Sequence, residues 1–172
     1  MTTSTSEVSG AGSGRRIALF ADVQNLYYTV RQVHGCHFNY AALWNQVAQR
    51  GAIVKAFAYA IDRGDPKQQQ FQRILRQLGF EVRLKPYIQR SDGSAKGDWD
   101  VGITIDVMEA AGEVDEVVLA SGDGDFDLLL QHVHQRHGVA TTVFGTPGLT
   151  AASLIRAAGE YIPVQGALLL RH

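Results

Sequence analysis

Residues 121–127 read Ser-Gly-Asp-Gly-Asp-Phe-Asp, three carboxylates within five positions behind a Ser-Gly turn. Acids in the first turn of a helix favour the positive end of its dipole by about 0.3–1 kcal/mol each, which accounts for one or two of them. Three so close repel one another by similar amounts, so helix capping alone explains the stretch poorly. Asp22 and Asp100, like Asp123, Asp125 and Asp127, lie at a seam between an apolar strand and the helix after it. Carboxylates gathered in one place need positive charge between them, and a divalent metal is the usual source. Aspartates in this arrangement point to Mg²⁺ or Mn²⁺, and that metal points to phosphodiester chemistry.

Two other stretches carry the remaining candidates. In Phe20-Ala-Asp22-Val-Gln-Asn25-Leu26, Asp22 closes an apolar run, and Asn25 either caps the next helix or supports the site through its amide. In Lys96-Gly-Asp98-Trp99-Asp100, Asp98 is the natural cap and Asp100 the inward ligand. Asp106 lies about 240° round that helix from Asp100, at about 100° per residue, so the two do not share a stripe. Flanked by Ile105 and Val107, Asp106 reads equally as a metal group or as a buried acid bonded to backbone or to Lys96.

Apolar runs alternate with helical patterns along the whole chain. Residues 16–21 read as a buried strand, with Asn25 opening a helix over 26–33 and Asn39 capping a second to Arg50. A strand over 52–61 precedes a helix from Pro66 to Gly79, whose Phe71, Ile74, Leu75 and Leu78 keep helical spacing. A strand over 80–88, a polar loop over 89–97 and a helix over 99–111 follow. The rest reads as strand 116–120, helix 124–137, strand 139–144, a helix capped by Thr150 to 158, and a last strand over 161–164. Such alternation implies parallel pairing in a three-layer α/β/α sandwich, with sites beyond the carboxyl ends of the strands where strand order reverses.

The 172 residues, 45% hydrophobic, suffice for one domain over 15–172 behind a polar Gly/Ser-rich tail over 1–14 that is expected to be disordered. That tail lacks the apolar core of a signal peptide, and no run approaches membrane-spanning length. The lone Cys36 excludes an internal disulfide and suits a reducing cytoplasm. Net charge is −1, so no global field draws in nucleic acid. The charge is nevertheless segregated. Residues 63–96 hold eight Lys/Arg against three acids, whereas residues 97–135 hold ten acids and no Lys or Arg. Arg63, Lys67, Arg73 and Arg76 fit the wet face of a helix. Arg83, Lys85, Arg90 and Lys96 flank the loop leading to Asp100 and suit a phosphate track. Trp99 or Tyr87 could stack a base, although core packing is the simpler role for Trp99.

Other chemistries fit worse. His34, Cys36 and His37 lack a partner pair for tetrahedral zinc. Gly122-Asp-Gly124 lacks the spacing and lysine of a P-loop. A dehalogenase-type phosphatase wants an acid two residues after Asp22, where Gln24 stands.

Four blocks together resemble the NYN domain family, in its LabA-like subgroup within the PIN-like ribonuclease superfamily. They are IALFADVQNL (17–26), KGDWDVGITID (96–106), SGDGDF (121–126) and TAASLIRAAGEYIPV (150–164), and in order and spacing they span residues 16–164. The resemblance implies a PIN-like sheet, an acidic pocket for one or two Mg²⁺ or Mn²⁺ ions, and single-stranded RNA as substrate. It places the family's acids on Asp22, Asp100, Asp123 and Asp125, with Asn25 and Ser121 in support. Asp127 departs from the neutral or apolar residue of close relatives, leaving open whether Asp125 or Asp127 faces the metal. The expected function is a cytoplasmic ribonuclease with Lys85, Arg90 and Lys96 guiding the RNA backbone. The alternative is a non-catalytic regulator that binds RNA, a protein partner or a second copy of itself through the same fold.

Overall fold

The computed structural model describes residues 14–86, 88–89, 95–96 and 98–171. The expected tail therefore lies outside the described residues, apart from Gly14. Strand β1 (Arg16–Asp22) leads directly into helix α1 (Val23–His34), and the short β2 (His37–Phe38) precedes α2 (Tyr40–Ala48). Next come β3 (Ala52–Asp62), α3 (Pro66–Leu78), β4 (Glu81–Pro86), and the two-residue strands β5 (Ile88–Gln89) and β6 (Ala95–Lys96). Helix α4 (Asp100–Ala111), β7 (Glu116–Ala120), α5 (Asp127–His137), β8 (Ala140–Gly145), α6 (Ala152–Ala157), β9 (Glu160–Pro163) and β10 (Leu169–Leu170) complete the chain.

Six strands form one sheet in the order β4-β3-β1-β7-β8-β9, and every neighbouring pair is parallel. The chain builds outward from β1 through β3 to β4, then crosses back to β7 on the other side of β1. Strand order thus reverses between β1 and β7, which opens a crevice beyond their carboxyl ends.

Side chains alternate across β1: Ile17, Leu19 and Ala21 face one core, and Ala18 and Phe20 face the other. The first core packs under α1, α2 and α3 through Leu26, Val30, Leu43, Val47 and Leu75. The second packs under α4, α5 and α6 through Ile103, Val107, Leu130, Val133 and Leu154. Because β1 is covered on both faces, it reads as an unbroken apolar run. The three-layer α/β/α architecture is as the alternating pattern predicts.

At the opposite edge, Glu116 begins β7 fully buried. It accepts bonds from Arg15 Nε (3.0 Å), Arg50 Nη2 (2.8 Å) and Thr142 Oγ1 (2.5 Å). This ionic knot ties β7 to the start of β1, the turn before β3, and β8.

Four local expectations change. Helix α1 starts at Val23, with Asp22 rather than Asn25 as its cap, because the carboxylate that ends β1 already accepts the Asn25 N–H at 3.4 Å. The strand expected to reach 88 ends at Pro86, and the expected loop contains the antiparallel pair β5–β6. The helix expected from 124 begins as a 3₁₀ turn, Gly124–Phe126, before α5 starts at Asp127. Thr150 does not cap α6, which begins after Ala151; its hydroxyl instead donates to the Thr146 carbonyl at 2.9 Å. The expected cap at Asn39 forms and Pro66 opens α3 as expected, with Asp65, which was not singled out from the sequence, as the cap of α3.

Candidate metal centre

The parallel register sets Ala21 of β1 beside Ala120 of β7, so Asp22 and Ser121 leave adjacent strands side by side. Ser121 Oγ donates to Asp22 Oδ2 at 2.9 Å, and both residues are buried. Asn25, one turn into α1, accepts the Gly122 N–H on its Oδ1 at 2.9 Å. Of the two roles open to Asn25, it takes the supporting one, reaching across the crevice to hold the neighbouring loop. Gly122 is required there: a Cβ at this position would lie 2.6 Å from the Leu149 carbonyl oxygen. From Ser121 the loop closes on itself, the Asp123 N–H donating to Ser121 Oγ (3.2 Å) and the Asp125 N–H to Asp123 Oδ1 (2.9 Å).

Asp100 arrives from the third side. The Trp99 indole N–H donates to the Ala60 carbonyl at the end of β3 (2.9 Å), and a Cβ on Gly102 would meet the Trp99 ring at 2.5 Å. Trp99 is thus an anchor for the first turn of α4, in keeping with the packing role. Asp98 Oδ1 accepts the Asp100 N–H at 3.3 Å. Lys85 Nζ lies 4.6 Å from the centre of the Trp99 ring and donates to the Asp98 carbonyl at 3.0 Å.

These constraints bring Asp100, Asp123 and Asp125 together, each offering a carboxylate oxygen within 4.8 Å of the others. None of the three forms an ion pair with Lys or Arg among the described residues. The electrostatic consequence is large. Burial, then the charges of Asp123 and Asp98, push the Asp100 carboxyl up to about 7. Asp22 is pushed up to about 6 by burial; its bonds from Ser121 and Asn25 lower it, and the charges of Asp123 and Asp98 raise it further. Hard oxygen donors converging without a cation fit Mg²⁺ or Mn²⁺.

The other candidates sit elsewhere. Asp22 lies against the cluster, with one oxygen accepting from the Ser121 hydroxyl and the other from the Asn25 N–H, which leaves each a lone pair. Asp127, at the start of α5, is outside the three-carboxylate group. Its Oδ1 accepts the Leu128 N–H at 2.6 Å, and its side chain lines a cleft between α5 and α6. Asp106 makes no bond to backbone among the described residues, and the Lys96 side chain it was expected to meet lies outside them. Asp106 accepts the Tyr59 hydroxyl at 2.8 Å and pairs with Arg83 Nε at 2.9 Å, fixing α4 to β3 and β4. Arg90, Tyr87 and the Lys96 side chain lie outside the described residues. Sequence reasoning missed Tyr59, an apolar-strand residue by pattern, and Ser153 and Arg156, which line the α5–α6 cleft without any clustering of charge to mark them.

The NYN domain model matches residues 16–168. The chain is 32% identical over 155 residues to Low amplitude and bright protein LabA of Synechococcus elongatus, covering 86% of this chain and 82% of that protein. A crystal structure of VPA0982, a protein of unknown function from Vibrio parahaemolyticus RIMD 2210633, superposes with a TM-score of 0.86 at 52% identity, covering 91% of this chain and 96% of that one. The chain belongs to the NYN domain family.

Proposed function

We propose that this protein is a metal-dependent ribonuclease that hydrolyses phosphodiester bonds in single-stranded RNA, its residues 15–172 acting as one catalytic domain. The convergence of Asp100, Asp123 and Asp125 within 4.8 Å at the strand-order reversal carries the reading. These three would hold Mg²⁺ or Mn²⁺, with Asp22 completing the shell directly or through water. A bound ion of this kind supplies Lewis acidity to the phosphoryl oxygens and lowers the pKa of a water nucleophile. The chain's own task is geometric and electrostatic. Ser121 and Asn25 fix the loop that carries Asp123 and Asp125, and Trp99 fixes the turn that carries Asp100. Without metal Asp100 is raised to about 7, so an ion entering the cluster near neutral pH displaces its proton.

Lys85, Arg90 and Lys96 form the basic approach, and Asp106 supports it by holding Arg83. No helix among the described residues is long and apolar enough to cross a membrane. With Cys36 a free thiol, we place the protein in the cytoplasm.

Hydrolysis by this route leaves 5′-phosphate ends and needs no 2′-hydroxyl. The test is incubation with a panel of single-stranded RNAs in Mn²⁺, with chemical analysis of the new ends. Cleavage leaving 5′-phosphates supports the ribonuclease reading; RNA or protein binding with no cleavage across the panel would instead support the regulator.

A further inference from the structure

The open cleft between α5 and α6 offers about 390 Å³, inside the range of about 300–1,000 Å³ typical of small-ligand sites. It abuts the metal centre. Ser153 and Asp127 both line it, and Ser153 Oγ lies 3.3 Å from where a Cβ on Gly124, between Asp123 and Asp125, would stand. Its other walls carry Gln131, His134, Gln135 and Arg156. Arg156 forms no ion pair or hydrogen bond among the described residues, nor do the Gln131 and Gln135 amides or the Ser153 hydroxyl. Asp127 uses one lone pair of Oδ1 on Leu128, and its Oδ2 has no partner among the described residues. The cleft therefore presents a cation without an ion-pair partner among the described residues, a carboxylate with one oxygen unused, and neutral amide and hydroxyl groups, next to the acidic centre but outside it.

We infer that this cleft is a base-reading subsite for the nucleotide flanking the scissile phosphate, with Arg156 pairing the phosphate and Asp127 the base. The inference rests on the ribonuclease reading for its position in a reaction, though not for its binding chemistry. A carboxylate is an acceptor only, so Asp127 selects a base whose edge presents donors. Guanine presents two neighbouring ones, N1–H and N2–H, which a carboxylate can accept together. Its O6 would then take a donor from Gln131 or Gln135. Adenine and cytosine offer one exocyclic amine each, and uracil one imide N–H, so guanine is the expected preference. Single-stranded RNA exposes this edge, which pairing in a duplex hides. The acid at position 127 thereby acquires a role that does not require it to face the metal.

The direct test titrates the four nucleoside 5′-monophosphates into metal-free protein, followed by NMR. Guanosine monophosphate should move the signals of Asp127, Ser153 and Arg156 and bind about tenfold more tightly than the other three, the low end of bidentate readout. Asp127→Asn, which exchanges one acceptor for a donor, should abolish that preference. Arg156→Ala should weaken all four nucleotides by about tenfold, the loss of one charged hydrogen bond. Equal affinity for the four, or shifts confined to surfaces away from the cleft, overturns the inference. On RNA, the wild type should cut preferentially beside guanine and Asp127→Asn should not. An unchanged cutting preference in Asp127→Asn overturns the subsite and leaves the ribonuclease standing. Cleft binding of guanosine monophosphate with no RNA cleavage upholds the subsite and removes the ribonuclease.

Discussion

The Ser121 hydroxyl donates to Asp22 Oδ2 at 2.9 Å, joining the carboxyl ends of β1 and β7 through two buried groups. The bond partly offsets the cost of burying Asp22, and Ser121 Oγ also receives the Asp123 N–H at 3.2 Å. Ser121→Ala would leave a buried carboxylate short of a donor, which costs about 1–3 kcal/mol. Urea unfolding of the metal-free variant should show that loss with an unchanged m-value. A variant as stable as the wild type would mean that water replaces the hydroxyl fully.

Stability should also depend on pH with a distinctive sign. In the folded state Asp22 and Asp100 are raised to about 6 and about 7, above their ordinary value of 3.8. Between those values the folded protein binds more protons than the unfolded chain, so stability falls as pH rises. Their stabilising contribution is complete below 3.8 and lost as pH climbs through about 6 and then about 7. Glu116 acts in the opposite sense. Burial raises it, but bonds from Arg50, Thr142 and Arg15 outweigh burial and hold it below its ordinary 4.5. Its contribution is present above 4.5 and fades only in stronger acid, so the two windows barely overlap. Metal-free melting should therefore show a Tm that drops from about pH 5 to about pH 8, and Asp100→Asn should flatten the upper part. A Tm that rises over this interval in metal-free wild type contradicts the clustered-carboxylate account.

A divalent ion should reverse that trend. Binding to the folded state alone adds RT ln(1 + [L]/Kd), about 2.7 kcal/mol at a hundredfold excess over Kd. Because Asp100 must lose its proton, calorimetry should show proton release that grows as pH falls below 7. Asp125→Asn should weaken Mn²⁺ binding, whereas Asp127→Asn should leave it near the wild-type value. A Tm unmoved by millimolar Mg²⁺ and Mn²⁺ would sink the metal site.

The fold, and the placement of the candidate site's central residues, were legible in the sequence for one physical reason. Strands covered on both faces become apolar runs, and polar residues at their carboxyl ends must lie in the crevice. Asp22, Ser121 and Asp123 are placed by that rule alone. Asp125 and Asp127 were not separable, because a continuous helix from 124 assigns them the wrong phase. The 3₁₀ turn Gly124–Phe126 advances about 120° per residue rather than about 100°, and the change of winding at Asp127 leaves its side chain on the α5–α6 cleft. The two roles open to Asn25 were not separable for a related reason. Its local signal is that of a cap, but Asp22 takes that role, which frees the Asn25 amide for a bond to Gly122, 97 residues away. No pattern local to residues 20–30 reports such a contact.

The basic approach makes a salt-dependent prediction. Affinity for single-stranded RNA should fall with salt at a slope near about −0.7 per contacted phosphate. Replacing Arg90 and Lys96 together with Ala should flatten the slope by more than about one unit. Lys85→Ala should flatten the slope by less than the double variant but have a second effect, because Lys85 also holds the Asp98 carbonyl and covers Trp99. It should therefore lower metal affinity as well as the slope. A slope unchanged in the double variant would return these residues to an ordinary solvated surface.

The central claim is that the aspartate cluster cleaves RNA, and Asp123 tests it most directly. Its Oδ1 organises the loop by accepting the Asp125 N–H, and its carboxylate belongs to the converging three. Asp123→Asn keeps the shape and that acceptor while removing one negative charge. The measurement is the single-turnover rate of single-stranded RNA cleavage in Mn²⁺, wild type beside Asp123→Asn, with RNA binding measured separately without metal. The account predicts a fall of at least about a hundredfold in rate, the scale of losing a central electrostatic group, with metal-free binding held or improved. Wild type that cleaves no faster than Asp123→Asn on any single-stranded RNA, with Mn²⁺ demonstrably bound, would contradict it.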